Sequence, residues 1–178
     1  MDTEEKKILE ILDLALKDKS IKQLIDAAIM RIEQSLINDP KSLMAWEPIP
    51  LNLYNQKLPD EIKSSWIFVL RKNTTSGAER HPNSIQRMMT YKGSGDFQTK
   101  PDSIWISNIL GNNFLGEIDK RWISIPLNVW HQGIVGDENW VVVSFHTAGV
   151  SDLIEERPEE NDENKFHKQK YIDKGLHK

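Results

Sequence analysis

The chain has 178 residues, 38% of them hydrophobic and 28% charged, with a formal net charge of −4. That is enough for one domain with its own core plus some decoration, and the mild negative charge gives no reason to expect nucleic acid as a partner. There is no cysteine, which removes disulfide scaffolds, thiolate nucleophiles and cysteine-based zinc sites together and suits a reducing compartment.

From Thr3 to Ile37 the hydrophobic period is helical. Ile8, Leu12 and Ala15 or Leu16 share one face; after a break at Asp18-Lys19-Ser20, residues Ile21, Leu24, Ile25, Ala28, Ile29, Ile32 and Leu36 form a second stripe. Ser20 with Gln23 predicts a capping box for the second helix, and Asn38-Asp39-Pro40 ends it. Such a stripe suits a membrane surface, a second copy or the chain's own domain; packing on its own domain is the expectation for residues 1–40. The first residues, Met1 to Lys7, start acidic and lack the basic region and unbroken apolar run of a signal peptide. The longest apolar runs, 66–70 and 140–143, are too short to span a bilayer. The expectation is a soluble, cytoplasmic protein with no membrane partner.

Residues 41–64 contain Pro48, Pro50 and Pro59 and read as an extended connector. From Ser65 the pattern becomes short strands, at 66–71, 85–91, 104–107, 122–125 and 140–147, with a weaker one at 78–81. Turn residues separate them at 74–77, 92–96, 111–113 and 135–139. Short, closely spaced strands of this kind predict an all-β sandwich or barrel over 65–154. After Ile154 the chain is highly charged and too poor in apolar residues to build a core, so 155–178 is expected to be a mobile tail with His167 and His177 in solvent.

Within the β region, Glu79, His81 and Gln86 lie close together around a turn, and His131 follows about fifty residues later. Residues two apart on a strand share a face, so Glu79 and His81 can both point inward, with Gln86 beside them and His131 arriving from the other half of the barrel. In order and spacing, Glu79-x-His81-x4-Gln86-x6-Gly93 resembles the first motif of the cupin family from its first ligand onward. Pro126-x-Asn128-x2-His131 resembles the centre of that family's second motif. The match runs over roughly residues 66 to 147. It departs from the family pattern at Glu79 (a His there), at Gln86 (a Glu), at Asn128 (a Gly), at Val135 (an Asn) and at the two leading glycine slots, Asn73 and Lys120. Asparagine tolerates positive φ, so Asn128 can serve where the family has Gly.

The resemblance implies a cupin-type double-stranded β-helix, or jelly-roll barrel, mainly β with N-terminal helices. It also implies a divalent metal such as iron, manganese, nickel or zinc, held by Glu79, His81 and His131 with Gln86 as a weak fourth ligand. Two imidazoles and one carboxylate are a known set for non-haem iron, so a dioxygenase-like oxidoreductase acting on a small molecule is one expectation. A metal-free barrel that binds a small ligand, or a dimeric interaction module, is the other. His146, on the same strand face as Ser144 and Val142, is the candidate acid or base, with a satisfied core histidine as the plainer alternative. Arg80 and Arg87 flank the site in sequence and could clamp an acidic substrate or lie on the surface. Met88, Met89, Tyr91, Trp105, Trp122, Trp130 and Trp140 are expected in the core and pocket wall. Exposed strand edges predict a homodimer. No phosphate loop, G-x-S-x-G elbow or H-E-x-x-H is present, and a Ser-His-Asp triad would have to recruit His81, His131 or His146 without local support.

Overall fold

The computed structural model describes residues 2–112, 117–159 and 162–174. It begins with α1 (Thr3–Lys17) and α2 (Lys19–Asn38). Asp2 caps α1 by accepting from the Glu5 amide at 2.8 Å. Asp18, not Ser20, caps α2: its Oδ1 accepts from the Ser20 and Ile21 amides at 2.8 and 3.2 Å and from the Ser20 hydroxyl. The carboxylate is the stronger acceptor at a helix N-terminus, which displaces the expected capping box. Hydrogen bonds from the Ser20 and Asn55 side chains hold Asp18 down at about 2.

Among the described residues the strands that follow are β1 (Met44–Pro48), β2 (Ser64–Leu70), β3 (Gln86–Lys92), β4 (Ser94–Lys100), β5 (Ile109–Gly111), β6 (Trp122–Ile125), β7 (Trp130–Val135), β8 (Trp140–His146), β9 (Ile154–Glu159) and β10 (Asp162–Lys170). They form an antiparallel sheet in the order β1-β2-β8-β3-β6, a second in the order β5-β4-β7, and the β9–β10 hairpin. The segment 75–79 joins the second sheet at its β7 edge through the bridges Thr75↔Ile134 and Glu79↔His131. With that segment included, β2-β8-β3-β6 faces (75–79)-β7-β4-β5, and the chain crosses between sheets in jelly-roll order.

Alternation along β2, β3 and β8 divides the sheet into two faces. Trp66, Phe68, Leu70, Met88, Trp140 and Val142 point into the barrel. Ile67, Val69, Met89, Tyr91, Val143 and Phe145 point outward and are covered by Leu9, Leu12, Ile21, Ile25, Ile29 and Ile32 of the helices. Both faces are therefore buried, which explains why these strands read as nearly unbroken apolar runs. Polar ties fix the helices to the outer face. Arg87 meets Glu5 at 2.7 and 2.9 Å and Glu61 at 2.7 Å. Asp13 meets Lys17, Arg121 and the Trp122 indole N–H at 2.7, 2.6 and 3.0 Å. Tyr91 donates to Asp26 at 2.8 Å.

Several sequence expectations change here. Met89, Tyr91 and Trp122 are core residues as expected, on the helix-facing side, and Arg87, expected as a substrate clamp or on the surface, is buried on that same side. Trp105 lies under the Lys100 ammonium and Trp130 under the Arg80 guanidinium. The connector contains β1, which pairs with β2. No strand forms over 104–107; β4 instead occupies a stretch assigned to a turn, because only the Lys92–Ser94 step turns. Gly93 sits there at φ 78°, and Asn128 adopts φ 61° in the slot where the family motif has Gly. Gly95 is required for another reason: a Cβ there would collide with the Trp140 indole.

The expected mobile tail is corrected most. Residues 154–159 and 162–170 pair as β9 and β10, bridged to the barrel through Arg80↔Glu156, and Tyr171 beyond them is fully buried among Trp46, Trp66 and Phe68. One aromatic side chain and several ion pairs anchor a segment whose average composition resembles a loop. His167 is exposed on β10, while His177 lies outside the described residues. No helix among the described residues is long and apolar enough to cross a membrane.

Candidate functional site

Glu79 and His131 face each other across the bridge between segment 75–79 and β7, exchanging backbone hydrogen bonds of 2.9 and 2.8 Å. His81 follows two residues on, and its carbonyl accepts from the Asn128 amide at 3.1 Å. The left-handed turn at Asn128 thus helps to hold the two histidine-bearing segments together. Among the described residues, Glu79, His81 and His131 form a buried group whose donor atoms all lie within 4.8 Å of one another.

The imidazoles are oriented by the backbone. His81 Nδ1 lies 2.8 Å from the Ile154 carbonyl and His131 Nδ1 lies 3.0 Å from the Val129 carbonyl. A carbonyl only accepts, so each Nδ1 is the donor in these contacts. The Nε2 of His131 is buried without a hydrogen-bond partner and stands 3.7 Å from Glu79 Oε1. An outward Nδ1–H on a carbonyl with a lone pair directed inward is the arrangement of a metal-ligating histidine.

Gln86, from β3 in the opposite sheet, lines the same cavity as Glu79 and His131. Its buried Oε1 also lacks a hydrogen-bond partner. The cavity measures about 30 Å³, room for one or two waters, and its remaining wall is largely apolar, including Phe68, Phe97 and Trp140. Phe97 stacks on the His131 ring at 5.5 Å between centroids.

His146 stands beside this group, its ring 5.2 Å from that of His81. Its nitrogens meet the Ser84 and Ser144 hydroxyls at 3.3 and 3.1 Å. Burial, together with His81 and His131 nearby, holds it well below the ordinary histidine value, so it is neutral. Arg80 is held away from the cavity by Glu156 at 2.8 Å and by the faces of Trp130 and Phe166.

The hairpin supplies residues that composition concealed. Arg157 binds Glu79 Oε2 at 2.5 Å, Glu155 Oε1 at 2.6 Å and the Ser76 carbonyl at 3.0 Å. Burial alone would lower the guanidinium's pKa; the charges of Glu79 and Glu155 overcome this and raise it. Tyr171 lies 6.1 Å from the His81 ring, and burial followed by the negative charge of Glu79 and Glu155 keeps its phenol well above the ordinary value. One sequence signal was available. Glu155 and Arg157 stand two apart, as do Glu79 and His81, and that spacing places each pair on one strand face.

Two imidazoles, one carboxylate and a neighbouring amide oxygen fit a divalent cation. Glu79 and Glu155 both bind the guanidinium of Arg157 in this buried cluster.

No protein-family model and no curated protein sequence matches the chain. Solved structures similar to part of it include oxalate oxidase in complex with the substrate analogue glycolate, at 14% identity and TM-score 0.47, covering 61% of this chain and 52% of that one. Capsular polysaccharide assembling protein CapF from Staphylococcus aureus is similar at 16% identity and TM-score 0.42, over 51% of this chain and 24% of that one. The coconut allergen cocosin is similar at 19% identity and TM-score 0.43, over 49% and 22%. The chain thus spans about half the length of the oxalate oxidase chain and less of the other two. The strand order across its two facing sheets makes the fold a jelly-roll barrel.

Proposed function

We propose that this barrel is a metal-dependent cupin acting on a small molecule, with His81, His131 and Glu79 holding a divalent cation. The observation that carries this reading is the His131 imidazole: Nδ1 tied to a carbonyl, and Nε2 buried without a partner 3.7 Å from a carboxylate oxygen. Leaving such an acceptor unpaired costs about 1–3 kcal/mol in an ordinary core, a cost that a bound cation removes. Bound iron, manganese, nickel or zinc would polarise a carbonyl or carboxylate oxygen, and iron or manganese would add oxidoreductase chemistry of the dioxygenase kind.

The chain's own residues then divide the remaining work. Gln86 offers a neutral amide oxygen at the cavity, a weaker donor than the family's glutamate, which lowers the negative charge of the set. His146, hydrogen-bonded to two serine hydroxyls beside His81, is the candidate acid or base, and the burial that lowers its pKa makes it a weak base there. Phe68, Phe97 and Trp140 keep bulk water out. A cavity of about 30 Å³ admits water or a diatomic molecule as it stands, so an organic substrate has to enter by side-chain or hairpin movement. Pairing of two copies through exposed sheet edges is part of the same proposal. A light-scattering mass equal to the monomer at micromolar concentration would remove that part.

The test is metal content by plasma mass spectrometry on anaerobically purified protein, beside a His81→Ala/His131→Ala variant. Near-stoichiometric metal in the wild type and none in the variant is the expected result. Metal absent from both, and not acquired when iron(II) is added, would overturn the reading in favour of a metal-free ligand-binding barrel.

A further inference from the structure

The C-terminal hairpin reaches into the site at two separate points, and both act on proposed ligands. The Ile154 carbonyl fixes the tautomer of His81 by accepting from Nδ1 at 2.8 Å. Arg157, three residues on, takes Glu79 Oε2 at 2.5 Å while Oε1 is turned toward His131 Nε2 at 3.7 Å. A carboxylate held by one oxygen has its other oxygen aimed, and the aim here is toward the imidazole lone pair. Arg157 is itself held by Glu155, whose side chain is fully buried, and by the Ser76 carbonyl, so the guanidinium sits on a rigid mount.

We infer that Arg157 is a positioning residue for the metal site, and that the β9–β10 hairpin sets the site's affinity by orienting Glu79 and His81. This rests on the metal-binding reading above. Its opposite is clear: a guanidinium on Glu79 can also be a competing cation that metal must displace. The geometry favours positioning, because Arg157 occupies Oε2 and leaves Oε1 on the histidine side. Removing a group that orients a metal ligand costs about 10–100-fold in affinity, whereas removing a competitor raises affinity.

The experiment is a titration of the metal-free, full-length protein with cobalt(II), read by its visible absorption, for the wild type, Arg157→Gln, Arg157→Lys and the His81→Ala/His131→Ala variant. The expected result is binding to the wild type, about 10–100-fold weaker binding with an altered spectrum in Arg157→Gln, and partial recovery in Arg157→Lys. Equal or tighter binding by Arg157→Gln would overturn the positioning role while leaving the metal site intact. No binding by the wild type would overturn the metal reading and this inference with it. Should Arg157→Gln fail to fold, hydrogen exchange on the wild type decides. Cobalt(II) is expected to slow amide exchange in residues 154–159, and unchanged exchange despite bound cobalt would overturn the coupling.

Discussion

The five-stranded sheet carries two different kinds of buried polarity on its two faces. On the helix-facing side, charge meets charge: Arg87 has both Glu5 and Glu61, Asp13 has Lys17 and Arg121, and Tyr91 has Asp26. Nη1 of Arg87 has no hydrogen-bond partner among the described residues. Inside the barrel, Gln86 Oε1 and His131 Nε2 are buried acceptors without a hydrogen-bond partner among the described residues. Surplus acceptors around a small cavity call for a cation or a hydrogen-bond donor from outside the chain. The outer face therefore attaches the helices, and the inner face carries the proposed cation site.

Substitutions can break that division or sharpen it. The largest expected effect is Leu9→Ala on α1. Leu9 is fully buried against the outer face, and its truncation is expected to cost about 4 kcal/mol in urea unfolding with metal content unchanged. Loss of metal in that variant would show that the two faces are not separable.

Asp13→Asn comes next, at about 2 kcal/mol near neutral pH, since it removes the carboxylate charge that pairs with buried Arg121. Burial alone would raise the Asp13 pKa, but hydrogen bonds from Lys17 and Trp122 and the charge of Arg121 lower it below its ordinary 3.8. A depressed carboxyl pKa stabilises the fold above the unfolded value, and that contribution is lost as pH falls through the folded value. The gap in stability between wild type and Asp13→Asn is thus expected to be full above 3.8 and to close below it. A gap independent of pH would remove the ion pair from the explanation.

Gln86→Glu acts on the inner face alone. It adds a carboxylate where an unpaired amide oxygen lines the cavity, and it is expected to tighten cobalt(II) binding about tenfold, or roughly 1.4 kcal/mol. Unchanged affinity would mean that Gln86 does not face the cation. The smallest effect is expected for Asn128→Gly. Asn128 already sits at φ 61°, so glycine should shift stability by about 0.5 kcal/mol or less, measurable by thermal unfolding. A large loss would instead assign its side chain a role of its own.

The legibility of the chain follows the same two faces. Strands β2, β3 and β8 stood out because both their sides are buried, which leaves runs such as Trp66 to Leu70 almost wholly apolar. Strand β4 did not: Ser-Gly-Asp-Phe-Gln-Thr-Lys buries only Phe97, and its glycine faces the Trp140 indole. The closeness of Glu79, His81, Gln86 and His131 was readable from motif spacing, although His131 pairs directly with Glu79 in one sheet instead of arriving from the other half of the barrel, and the left-handed turn at Asn128 was readable from asparagine's tolerance of positive φ. Arg157, Glu155 and Tyr171 were not, because they lie in a segment whose composition resembles a solvated tail. What fixes that segment is pairing at the barrel: Arg157 to Glu79, Arg80 to Glu156 and the burial of Tyr171. Composition averages over residues and has no means of detecting such specific contacts.

The central claim is that His81, His131 and Glu79 share one cation. Anomalous scattering from crystals of the protein grown with manganese(II) or iron(II) tests it most directly. The expected result is a single peak about 2.0–2.3 Å from Nε2 of both histidines and from Glu79 Oε1, with Arg157 still on Oε2. Ordered water between His131 Nε2 and Gln86 Oε1, with no anomalous peak at any metal concentration, would contradict it.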